Sequence, residues 1–240
     1  MSHSLIISLD KLSSEEVGKI LLLIWSFDSK IKNNIKVKFN DLINLIGFNG
    51  ISEIKWIENC SIMLDPKWHD IPNTLTNYFY QLSKSPLKNQ VDYVTLHANG
   101  GRAMIEAAKK TRDQLWLHTK IIAVTALTSL EKRDTEEIYW LSPDETVLKL
   151  SRIALESWAD GIVCSPLEIA FLREKFWYDF ISITPWVRFE SSENIGDQKR
   201  IATPLSAIKE GANHIVMGRD ILSWDIKTNI ERFFLEINSQ

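Results

Sequence analysis

The chain has little cysteine, no surplus of either charge and no long apolar run. Two cysteines in 240 residues, Cys60 and Cys164, cannot build a disulfide framework and fit a reducing compartment. Lys plus Arg number 28 against 31 for Asp plus Glu, a net charge of −3. That balance supplies neither the basic face of a nucleic-acid binder nor attraction to an anionic membrane, so neither partner is expected. The longest apolar run, residues 20–25, falls far short of the roughly 20 residues that cross a bilayer. No basic stretch precedes the apolar residues 5–7, so no secretory signal is expected and the cytoplasm is the expected location. There is no Pro/Gly/Ser linker and no low-complexity tract, so residues 1–240 are expected to form a single domain. With 45% hydrophobic and 25% charged residues the chain has material for one large core.

What is present is a rhythm. Short apolar runs rich in β-branched residues occur at 5–9, 35–39, 61–65, 91–96, 120–126, 161–165, 180–184 and 214–218. Near-continuous apolar strands suit a parallel sheet covered on both faces. Between them lie amphipathic stretches at 13–27, 72–84, 102–111, 143–158, 166–175, 204–210 and 224–238, four of which open on a proline, the favoured first helical position. Eight strand–helix units predict an α/β fold, a (β/α)8 TIM barrel, with a doubly wound open sheet as the alternative. Residues 39–59 are the least regular, because Gly47 and Gly50 interrupt any helix there.

In a barrel the chemistry gathers on the loops after the strands. Polar residues stand at nearly every such end: Asp10, Lys38, Asp65 and Lys67, His97, Thr128 and Ser129, Ser165, Arg188 and Arg219. Each alone reads as a solvated loop residue; together they mark one rim.

The densest group is LDPKWHDIPNT, residues 64–74. On an extended chain Asp65 and Lys67 point the same way, and Asp70 follows within a short turn, so carboxylates on both sides favour the ammonium form of a proton donor. An inert ion-pair network at a strand end is the competing reading. His69, Asp70 and His97 are possible metal ligands, but no HExxH or paired-cysteine motif accompanies them and no metal is expected. Cys164, in an apolar run with no adjacent histidine, reads as a small core residue. Several of the nine tryptophans, Trp25, Trp56 and Trp158 among them, fall at core-like helical spacing and read as core or surface packing residues. A second group, TPWVRF (184–189), GDQKR (196–200) and VMGRD (216–220), offers Arg188, Gln198, Gly218 and Arg219 to a phosphate, which barrels often hold after strands seven and eight. Lys199 and Arg200 read as surface charges. HANGG (97–101) is either an anion cradle or a tight turn.

These motifs resemble the orotidine 5′-phosphate decarboxylase family. D-x-K-x-x-D-I-P-N-T carries the resemblance, and LIISLD, LHANGGRAM, AVTALTS, DGIVCS, GDQKR and VMGR follow in the family's order. The resemblance implies decarboxylation of orotidine 5′-phosphate to UMP and CO2 without metal or organic cofactor. It implies Lys67 as proton donor to C6 between Asp65 and Asp70, and Asp10 on the ribose hydroxyls. Lys38 is the implied second-strand lysine, with Lys36 as its rival. Thr128 is implied against the pyrimidine, and Arg188, Gln198, Gly218 and Arg219 on the phosphate. It further implies a homodimer in which Asp70, Ile71 and Thr74 serve the partner's site.

Pro66, Asn40, Trp186, Asp220, Trp158 and Ala159 depart from the family pattern, and none removes a catalytic group. Two other readings compete. A sugar-phosphate decarboxylase of the same suprafamily shares D-x-K-x-x-D but lacks the continuation at 71–74. A decayed barrel that only binds UMP-like ligands is opposed by the intact Asp65–Lys67–Asp70 group.

Overall fold

A computed structural model describes residues 3–190 and 202–239. Eight strands, β1 (Ser4–Ser8), β2 (Ile35–Phe39), β3 (Ser61–Trp68), β4 (Val91–His97), β5 (Lys120–Val124), β6 (Gly161–Val163), β7 (Ile181–Thr184) and β8 (His214–Met217), pair in sequence order, all parallel. Strand β8 closes onto β1 with Ile6 opposite Val216, so the sheet is a barrel and the open-sheet alternative falls. The helices are α1 (Ser14–Trp25), α2 (Ser29–Lys32), α3 (Asp41–Ser52), α4 (Pro72–Lys84), α5 (Arg102–Gln114), α6 (Lys132–Tyr139), α7 (Pro143–Glu156), α8 (Pro166–Lys175), α9 (Pro204–Lys209), α10 (Arg219–Leu222) and α11 (Ile226–Asn238).

Strand alternation sorts the core into two layers. Leu5, Ile7, Val37, Phe39, Ile62 and Leu64 face outward and pack with helix residues such as Leu75, Phe79 and Ile105. Ile6, Met63, Tyr93, Ile122 and Ile183 form a smaller cluster that fills the barrel. Because side chains alternate, Lys36 and Lys38 share the inner face, and so do Met63 and Asp65. Gly161 lets β6 and β7 approach closely, since a Cβ there would stand 2.2 Å from the Ile181 carbonyl oxygen.

Helix starts follow side-chain chemistry. Ser13, Ser142, Ser165 and Thr203 cap α1, α7, α8 and α9 in reciprocal capping boxes, and Pro72, Pro143, Pro166 and Pro204 open α4, α7, α8 and α9.

Three expectations need correction. Residues 41–52 are helical, with a break at Gly47 (φ 64°) that the missing Cβ permits. Strand β3 runs three residues beyond Asp65, through a register shift between Leu64 and Trp68. The tryptophans largely do not pack: Trp158 lies beyond the end of α7 and is 69% exposed, and Trp25 and Trp56 are also exposed. Trp68 is the exception, stacked on Tyr78 at 4.7 Å and edge-on to Phe79 at 5.7 Å.

Candidate active site

The strand ends on one face of the barrel surround a pocket of about 670 Å³. Its lining includes Asp10, Lys38, Asp65, Lys67, Thr128, Arg188, Gly218 and Arg219, which come from the ends of six strands and the loops that follow them.

At its floor is a chain of alternating charges. Lys67 Nζ donates to Asp65 Oδ2 at 2.7 Å, and Lys38 Nζ stands 3.2 Å from the same oxygen. Lys38 Nζ also lies 3.3 Å from both oxygens of Asp10, whose Oδ2 accepts from Ser8 Oγ at 2.5 Å. Asp65 and Lys38 are buried, while Lys67 is half-buried and open to the cavity. Taking these charges out of water is costly unless each finds a partner, and here each does.

Backbone geometry fixes Lys67. Its φ is 49°, a left-handed conformation in which a lysine is strained. The Lys67 amide donates to Thr95 Oγ1 at 3.0 Å, and that hydroxyl donates to Asp65 Oδ1 at 2.8 Å. Thr95 thus ties the lysine's backbone to its own counter-ion. The departures in this region acquire reasons. Pro66 sits within the register shift, where a strand tolerates a missing N–H. Asn40 Nδ2 donates to the Asp65 carbonyl at 2.6 Å and fixes the strand end. The Asp220 carboxylate accepts from the Phe189 amide at 3.1 Å and links the loops after β7 and β8.

Lys36 and Lys38 separate by height in the barrel. Lys36 Nζ reaches Asp92 at 2.6 Å and Ser61 Oγ at 2.8 Å, away from the pocket, whereas Lys38 lines it. Asp70 makes no ion pair with Lys67 within one chain. Its carboxylate accepts from the Ile71 amide at 2.7 Å, and Asp70, Ile71 and Thr74 are not among the pocket-lining residues. Of the two carboxylates expected beside Lys67, only Asp65 touches it here. Ile71 is 65% exposed at the cap of α4. Gln198, Lys199 and Arg200 lie outside the described residues.

The remaining candidates resolve as structure. The His69 and His97 rings are 5.8 Å apart, and burial, followed by His69 and Lys67, holds His97 below the usual histidine range. Among the described residues no three His, Cys, Asp or Glu side chains converge to hold a metal. Cys164 lies just past β6, and burial pushes its thiol well above the ordinary range. Ser165 caps α8. HANGG is a tight turn: Gly101 has φ 85°, and a Cβ on Gly100 would strike Met104 Sδ at 2.3 Å. Sequence reasoning missed Thr95 and Lys11, and met Asn40 only as a departure from the family pattern. Only Thr95 left a signal, as a polar residue on the inner face of β4 beside Tyr93 and His97.

The family model described as "Orotidine 5′-phosphate decarboxylase / HUMPS family" matches residues 3–228. A relative from Fusobacterium nucleatum, named orotidine 5′-phosphate decarboxylase, is 43% identical over 162 residues. That stretch is 67% of this chain and 66% of the relative, so the match spans just under two thirds of the relative's length. A relative of the same name from Wigglesworthia glossinidia brevipalpis is 40% identical over 181 residues, 75% of this chain and 72% of its own. The crystal structure of orotidine 5′-phosphate decarboxylase from Lactobacillus acidophilus superposes with a TM-score of 0.74 at 31% identity, covering 98% of this chain and 99% of that one.

Proposed function

The chain belongs to the orotidine 5′-phosphate decarboxylase / HUMPS family, and from that membership we propose that it converts orotidine 5′-phosphate to UMP and CO2 in pyrimidine biosynthesis. The observation that carries the reading is the Lys67–Asp65 contact at 2.7 Å in a pocket also lined by Arg188 and Arg219. Acid and counter-ion thus share one cavity with two guanidinium groups suited to a phosphate.

The reaction breaks the bond between C6 of the pyrimidine and its carboxylate. CO2 leaves and the electron pair stays on C6 as a poorly delocalised carbanion. The Lys67 ammonium stabilises that charge as it develops and then gives its proton to C6, yielding UMP; a proton from water restores the lysine. Lys38 and Thr95 keep Asp65, and through it Lys67, in place. Asp10 holds the ribose hydroxyls and Thr128 meets the pyrimidine. Arg188, Gly218, Arg219 and Gln198 hold the phosphate, whose binding energy is spent on aligning C6 with Lys67. No residue in this scheme requires a metal or an organic cofactor. The enzyme works in the cytoplasm as a homodimer, with Asp70, Ile71 and Thr74 completing the partner's site; the exposure of Ile71 and a pocket lining in its own chain that does not include Asp70 support that arrangement.

The test is turnover of orotidine 5′-phosphate with and without a chelator. Equal turnover is expected. Loss of turnover in chelator would point to the metal-dependent sugar-phosphate relatives, and no turnover in either would point to a barrel that only binds.

A further inference from the structure

Among the described residues, eight other than glycine have a backbone in the left-handed region, and six of the eight are tryptophan: Trp56, Trp116, Trp140, Trp158, Trp186 and Trp224. Asparagine and aspartate, the residues that ordinarily share this conformation with glycine, do not appear among them, and a bulky aromatic there is an outlier. The other two, Lys11 and Lys67, line the pocket, and each has its amide held by a neighbouring side chain, Asp41 at 2.7 Å and Thr95 at 3.0 Å. Five of the tryptophans instead stand at helix ends and element junctions, as at the C-cap of α6.

The chain contains its own control. Helix α9 ends in a Schellman motif, in which Gly211 donates to the Ile208 carbonyl and Ala212 to the Ala207 carbonyl, with Gly211 at φ 100°. Helix α5 ends in the same pair of bonds, Trp116 to Asp113 and Leu117 to Arg112, and so does α7, Trp158 to Leu155 and Ala159 to Ala154. All three motifs turn a helix into the next barrel strand. The position that needs a left-handed residue is glycine once and tryptophan twice.

Three of the six side chains give tryptophan no packing reason to be there. Trp116 is 93% exposed, Trp140 85% and Trp224 fully exposed. Composition agrees. The chain has nine glycines and nine tryptophans, whereas average usage of about 7% would give about 17 glycines in a chain of this length. Adding these six to the nine brings glycine to 15, close to that figure.

We infer that positions 56, 116, 140, 158, 186 and 224 are glycine in the protein as its own cell makes it. The codon UGA is read as tryptophan by some translation systems and as glycine by others, so a single codon class accounts for all six exchanges. Trp68, stacked in the core, stays tryptophan. The exchange reaches the pocket, because Trp186 lines it beside Arg188, and glycine there widens the space open to a ligand. It does not depend on which ligand that is.

Peptides of the protein isolated from its natural source, sequenced by mass spectrometry, test this directly. Glycine is expected at all six positions and tryptophan at 68, with UGA at the six codons and UGG at the seventh. Tryptophan at 116 or 158 in those peptides overturns the inference. A second readout uses the chain that carries all nine tryptophans. In it, Trp116→Gly and Trp158→Gly should each raise Tm by a few degrees, whereas Trp177→Gly, equally exposed but outside the left-handed region, should not. If neither exchange raises Tm, or if Trp177→Gly raises it as much, these backbone positions do not favour glycine and the inference fails.

Discussion

Lys67 and Asp65, two residues apart on β3, meet at 2.7 Å where the backbone at Lys67 leaves the strand conformation. In a regular strand both side chains point into the barrel but rise along it, about 6.6 Å apart from Cα to Cα. At Lys67 the backbone turns left-handed, and Thr95 bonds both the Lys67 amide and the Asp65 carboxylate. Strain of this kind costs about 1–3 kcal/mol and persists only where the surroundings impose it.

The phosphate assignment predicts a ligand-dependent loss. Arg219→Ala should weaken UMP binding by about 1.5–3 kcal/mol, roughly ten- to a hundredfold. Uridine, which has no phosphate, should bind as before. Calorimetric titration of both ligands checks this, and an equal loss for both would mean that Arg219 supports the loop rather than the phosphate.

A site shared between subunits, with no Asp70–Lys67 ion pair within one chain, predicts complementation. Lys67→Ala chains and Asp70→Ala chains should each be inactive, yet a mixture that exchanges subunits should recover about a quarter of wild-type activity. About half the dimers are then mixed, and each has one intact site and one carrying both lesions. Exchange shown by tagged subunits, with activity still absent, would place Asp70's role within its own chain.

The buried histidine at the opposite end of the barrel predicts a pH dependence of stability. Burial lowers His214 to about 4, helped by Lys36 and His3 and opposed by Asp92, while its Nε2 pairs with Tyr93 Oη at 2.8 Å. An unfolded histidine takes up its proton near pH 6.5, so between there and about 4 the unfolded chain binds more protons than the folded one. The contribution is whole above pH 6.5 and is lost as pH falls towards 4, amounting to up to about 3 kcal/mol. Urea denaturation at neutral and mildly acidic pH should show this loss, and His214→Gln should reduce it. An unchanged pH slope in the variant would contradict the assignment.

The barrel was legible because most strands are predominantly apolar runs and four helices announce themselves with proline. The helices that were not anticipated have weak patterns. Helix α6 buries only Thr135, α2 and α10 are single turns, and α3 is broken at Gly47. The candidate site was legible as a set of polar strand ends, since alternation alone puts Asp65 and Lys67 on one face. Alternation could not choose between Lys36 and Lys38, which share that face and differ only in height. Nor does the residue type of Lys67 betray its left-handed backbone, which three-dimensional packing imposes, and so Thr95's part in holding it emerged only from the fold.

In the proposed reaction Lys67 supplies the proton to C6. Single-turnover decarboxylation by Lys67→Ala, measured alongside UMP affinity, tests it most directly. The rate should fall by about a thousandfold or more while UMP still binds, because the proposed phosphate and ribose contacts lie on other residues. A variant that retains more than about a tenth of the wild-type rate would show that the proton comes from elsewhere.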